Sequence, residues 1–85
     1  MFENGPFHPA EKKMHHEMEE VKGDSIDETW VRKMIVHHQG GIEMSQIVLE
    51  NGSDPMVREK AEKTIREQTS DIGELEKLLT ATSVR

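Results

Sequence analysis

Two long stretches of helical periodicity are separated by only four residues, Asn51-Gly52-Ser53-Asp54, with Pro55 directly after them. That break constrains the fold more than any other feature of the chain. Asn51-Gly52 is a stop signal of the kind in which a left-handed residue ends a helix. Asp54 or Ser53 can cap the helix that follows, and Pro55 can occupy its first turn, where a missing N–H costs nothing. Two helices joined so tightly must fold back on each other as an antiparallel hairpin.

The periodicity on either side supports this. A second helix over about 26–50 starts at Ser25, a good N-cap, with Glu28 three residues later completing a capping box. Its apolar residues include Ile26, Trp30, Val31, Met34, Ile35, Ile42, Ile47, Val48 and Leu49, over a length of roughly 37 Å at 1.5 Å per residue. A third helix over about 55–80 keeps Val57, Ala61, Thr64 or Ile65, Gln68, Ile72, Leu75 and Leu79 on one face. A short first helix over about 9–22 can begin at Pro9 and stop at Gly23, with Met14, Met18 and Val21 as its apolar stripe. Residues 1–8 read as a flexible arm and 81–85 as a tail, leaving 9–80 as a single helical domain. Nothing resembles a strand or an internal repeat, so the expected class is all-α.

A chain of 85 residues allows one domain, and 33% hydrophobic against 33% charged content gives it a modest core. The short polar first helix leaves the hairpin under-covered. A homodimer with a four-helix or six-helix core is the simplest remedy. The net charge of −6 disfavours nucleic acid as a partner. No apolar run can span a bilayer. The start, Met1-Phe2-Glu3-Asn4-Gly5-Pro6, has neither a basic n-region nor an h-region. Both a cytoplasmic chain and an exported one whose signal has been removed fit that start. With no cysteine, disulfides and zinc-thiolate sites are excluded, and cysteine usage does not assign a compartment.

Five histidines and six methionines in so short a chain need explaining. Met34 lies three and four residues before the adjacent pair His37-His38, with Met44 beyond. Imidazole nitrogen and thioether sulfur together suit a soft ion such as Cu(I). On a helix, His37 and His38 stand about 100° apart and do not grip one ion as a pair. One is expected to face the bundle interior and the other its rim or another helix. Met44 shares the side of His37. Gly40 and Gly41 cost roughly 2 kcal/mol together inside a helix, so a missing Cβ is expected to serve a close approach. Gly41, four residues after His37, is the expected place, between the first and second helices.

The first helix repeats the grouping with Met14, His15, His16 and Met18. The expected site therefore draws on Met14, His15, Met18, Met34, His37, His38 and Met44. Gln68 on the buried face of the third helix, and Asp71 three residues on, can orient a second-helix imidazole, with His16 in a similar supporting place. The same residues also fit a plainer reading. Methionines at helical spacing fill cores, and paired histidines on a polar helix can be solvated. A helical homo-oligomeric interaction module without metal is the alternative. A di-iron or hemerythrin-like oxidase is a third class, but no Glu here is followed by His three residues on. No zincin motif, partnered nucleophile or phosphate loop is present, so no enzyme is expected.

The pattern Trp30-x-x-x-Met34-x-x-His37-His38-Gln39-Gly40-Gly41-Ile42-x-Met44, with Asp54-Pro55-x-x-Arg58, Ile65-x-x-Gln68 and Asp71-Ile72, resembles the domain-of-unknown-function 305 family. Met14-His15-x-x-Met18 and Gly23-Asp24 also look like its N-terminal region, so the likeness covers roughly residues 10–79. The resemblance implies a small ferritin-like helical bundle. Members with an assigned role are exported bacterial proteins that bind copper or silver through Met and His, in metal homeostasis or resistance. A periplasmic or secreted location follows from the resemblance alone. Gly41 stands where the family usually has alanine, Asp71 where it has glutamate, Leu75 where many members carry methionine, and Trp30 where phenylalanine is usual. The loss of a thioether at Leu75 leaves the third helix without sulfur on its buried face. The expected function is Cu(I) or Ag(I) buffering, transport or resistance. Histidine ligands must be neutral, so affinity should fall as pH drops through the imidazole range, about 6.5 for a free side chain.

Overall fold

The computed structural model describes residues 5–81. Within them lie a 3-10 turn at Gly5–Phe7 and three helices: α1 (His8–Glu20), α2 (Ile26–Asn51) and α3 (Pro55–Thr80). Among the described residues there is no strand, so the chain is all-α, with a short helix beside a long antiparallel hairpin. Residues 1–4 of the expected arm and 82–85 of the expected tail lie outside the described residues.

The helix starts are set by local chemistry. The Ser25 hydroxyl accepts from the Glu28 N–H at 3.1 Å, satisfying one of the unpaired donors of the first turn of α2. Of the two candidate caps before α3, Asp54 is the one used. Its Oδ1 accepts from the N–H groups of Met56 at 2.9 Å and Val57 at 3.1 Å. Pro55 then fills the first turn.

The helix ends differ from expectation. Gly52 closes α2 in an extended conformation, φ −83°, and not in the left-handed one expected of Asn51-Gly52. Its N–H still bonds the Val48 carbonyl at 2.6 Å. The remaining carbonyls are served from outside the helix: Arg58 Nη1 donates to Leu49 O at 2.5 Å and to Gly52 O at 3.2 Å. That cation at the negative end of α2 does the capping a left-handed glycine would have done. α1 stops at Glu20, before the expected Gly23, with Val21 extended. Lys33 of α2 donates its ammonium to the Met18 carbonyl, supplying the basic group that the last turn of α1 lacks. Gly23 N–H donates to Thr29 Oγ1 at 2.9 Å and ties the loop back onto α2.

α2 is the middle helix, with α1 and α3 each packed on it. The chain measures 45 × 24 × 12 Å. Three helices side by side at 8–10 Å spacing, each of Cα radius about 2.3 Å, span about 21–25 Å. The 24 Å dimension therefore describes one layer of helices, and a single layer has two open faces. Its core is correspondingly small: Ala10, Val31, Val36, Ala61 and Leu75 are the buried apolar side chains, with Val31 the deepest at 2% exposed.

Candidate metal centre

The two glycines of α2 are both used, each toward a different helix. A Cβ at Gly40 would run into the Met14 side chain, lying against its sulfur and 2.8 Å from its Cγ. A Cβ at Gly41 would meet the Gln68 carboxamide, 3.0 Å from its carbon. The approach between α1 and α2 is thus made at Gly40, which corrects the expectation for Gly41. Gly41 serves α3.

The histidines divide as the helix angle requires. His37 is exposed on the open side of α2. His38 turns toward α3, where its Nε2 lies 3.7 Å from Asp71 Oδ2, and its side chain is 17% exposed. Its Nδ1 lies 2.7 Å from the Met34 carbonyl, which fixes the ring. When Nδ1 donates there, Nε2 carries the lone pair. The two rings sit 6.2 Å apart with planes at 70°. Asp71 thus stands opposite a second-helix imidazole. Gln68 takes a different place, packed on Gly41, with its Oε1 buried and without a hydrogen-bond partner.

The methionines Met14, Met18, Met34 and Met44 are all half-buried. Met14 rests on Gly40, so its sulfur lies over the stretch of α2 between His37, one turn before, and Met44, one turn after. Lys13 Nζ and Glu43 Oε2, 2.7 Å apart, hold the two helices in that register. The glutamate beside it raises the Lys13 pKa, through the hydrogen bond first and then the charge attraction. Antiparallel packing then brings Met18, one turn beyond Met14, toward the level of His37. Met44 also lines an apolar groove with Phe7, Val48, Val57 and Ala61.

His15 and His16 are placed elsewhere. Both are exposed on the outer side of α1, around a shallow depression shared with His8, Glu11, Lys12 and Glu19. His16 Nε2 lies 3.0 Å from Glu20 Oε1, its partner one turn on. His8 was not marked out by sequence reasoning, and only its place one turn before Glu11 could have suggested it. Leu75 is buried on α3. Among the described residues no three His, Asp or Glu side chains come together to hold an ion. An ion held here would therefore need sulfur. Met14 is the thioether of α1 that the structure seats directly on α2, at Gly40.

The family model described as "Domain of unknown function (DUF305)" matches residues 6–79. No curated protein and no solved structure matches the chain.

Proposed function

The chain belongs to the DUF305 family, and from that premise we propose that it binds a soft monovalent ion, Cu(I) or Ag(I). It would act as a buffer or carrier in metal homeostasis or resistance, with no catalytic step. The observation that carries this reading is the seat of the Met14 thioether on Gly40, between His37 and Met44. The missing Cβ of Gly40 lets the sulfur lie close to α2, on a stretch of helix with an imidazole one turn before and a second thioether one turn after. Thioether and neutral imidazole are donors of matching softness. Met18, one turn from Met14, and Met34, one turn before His37, are the further thioethers that can complete the set. His38 is the inner imidazole, its ring oriented by the Met34 carbonyl and faced by Asp71. The ferritin-like bundle that the resemblance implies would be reached by adding a second helical layer to this single one. An exported location belongs to the same reading.

Titration of apo protein with Cu(I) against a competing chelator tests the proposal. Met14→Leu and His37→Ala should each weaken binding about tenfold or more, equivalent to about 1.4 kcal/mol. Their far-ultraviolet circular dichroism should be unchanged. If the double variant bound Cu(I) as tightly as the natural chain, the site would lie elsewhere.

A further inference from the structure

The open face of α2 carries a mostly apolar stripe without an acid. Ile26, Trp30, His37, Met44 and Val48 lie within about 40° of one another around the axis, at 100° per residue. No acid lies among them, and Lys33, the base beside the stripe, is turned to α1, where its ammonium donates to the Met18 carbonyl. Ile26 is 88% exposed and Trp30 55% exposed, so the stripe is bare at its N-terminal half. At its C-terminal half, Met44 and Val48 line a groove of about 340 Å³ with Phe7, Val57 and Ala61, and Lys60 at its edge.

We propose that a second copy of this chain docks antiparallel on this stripe, with its two-fold axis at His37, so that the two His37 imidazoles form one shared soft-ion site. The stripe is complementary to itself about that residue and no other. With the axis at His37, Trp30 meets the partner's Met44 and Ile26 meets the partner's Val48. The exposed half of each copy then enters the groove of the other. A Trp–Met contact of this kind adds sulfur–aromatic attraction to apolar burial. Two-fold pairing repeats each contact on both sides of the axis. One face of a molecule 45 × 24 Å across is of the same order as the roughly 800 Å² per partner of a standard interface. The absence of acids on the stripe matters as well, because two copies of net charge −6 repel wherever acids are brought together. A second layer also covers one open side of a molecule one helix thick.

At the axis the two His37 side chains point into the same space from opposite copies. Cu(I) and Ag(I) accept two neutral nitrogen donors in line, with the flanking thioethers as further donors. The shared site rests on the soft-metal reading, whereas the docking does not.

The chain has no cysteine, so a single thiol reports on symmetric contact alone. His37→Cys should oxidise to a covalent dimer. Gln39→Cys, exposed on the far side of α2, should remain monomeric under the same conditions. Equal cross-linking of the two, or none, overturns the docking. The only tryptophan, Trp30, should shift its emission to the blue as concentration rises, and an unchanged spectrum counts against the docking too. In sedimentation, Ag(I) should tighten the natural dimer at least about tenfold and leave the dimerisation of His37→Ala unchanged. Ag(I) bound to a monomer, with no tightening, would overturn the shared site while sparing the single-chain reading. No Ag(I) bound at all would overturn both metal readings, and the cysteine result would then decide the docking alone.

Discussion

Gly40 and Gly41 are neighbours, yet alanine at one should loosen the fold and alanine at the other should tighten it. Each substitution gains about 1 kcal/mol from helix propensity, since both positions lie in the interior of α2. The obstacles differ. At Gly41 the new Cβ meets the far end of Gln68, whose carboxamide carbon and nitrogen lie 3.0 Å away. Rotation about the glutamine torsions clears it. The Gln68 Oε1 is buried without a partner, so its departure breaks no hydrogen bond. Gly41→Ala should therefore stabilise by about 1 kcal/mol. At Gly40 the obstacle reaches back along Met14 to its Cβ, 3.2 Å away, which cannot move without the α1 backbone. Overpacking of this kind costs roughly 1–3 kcal/mol. Net of propensity, Gly40→Ala should destabilise by about 1 kcal/mol. The two alanines should then differ by about 2 kcal/mol, or about 8–16 °C in Tm for a domain of this size. Thermal and urea unfolding followed by circular dichroism at one fixed protein concentration would measure it. Shortening Met14 to alanine in the Gly40→Ala background should recover part of the loss, and a double-mutant cycle gives the coupling. Gly40→Ala equal to or more stable than Gly41→Ala would refute the close approach of α1 at this glycine.

Two further outcomes follow from the caps and the surface pair. Asp54→Ala should lower stability by about 1 kcal/mol through loss of the bonds to Met56 and Val57, while Ser53→Ala leaves it unchanged. Equal urea midpoints for the two would show that Asp54 is not the cap. Lys13 has its pKa raised above 10.5 by Glu43, so it holds its proton more firmly folded than unfolded. Its contribution is present in full below that ordinary value and is lost as pH climbs through the folded one. The difference in unfolding midpoint between the natural chain and Glu43→Gln should hold steady below 10.5 and shrink as pH climbs above it, and a difference constant through that rise would assign the effect to packing.

The histidines show how far sequence carries the candidate site. Their separation around α2 is a property of any helix, so it was legible before any packing was known. Which of the two turns inward was not, because that depends on where α3 lies around α2. His38 faces Asp71, and His37 is left on the open side. Gln68 illustrates the same limit. Its place on the inner face of α3 follows from spacing, but its neighbour is the Gly41 backbone and not an imidazole.

The starts of α2 and α3, the short connection between them and the absence of strands were determined by the sequence alone. Ser25 and Asp54 bond N–H groups within three residues of themselves, and such contacts need nothing from the rest of the chain. The ends of α1 and α2 were decided by tertiary structure, because Lys33 and Arg58 reach the terminal carbonyls from other turns of the fold. The placing of Met14 on Gly40, and of His15 and His16 on the outer side of α1, was decided there too. Periodicity ranks the residues around one helix axis. Only the packing of a second helix says which direction from that axis is the inside.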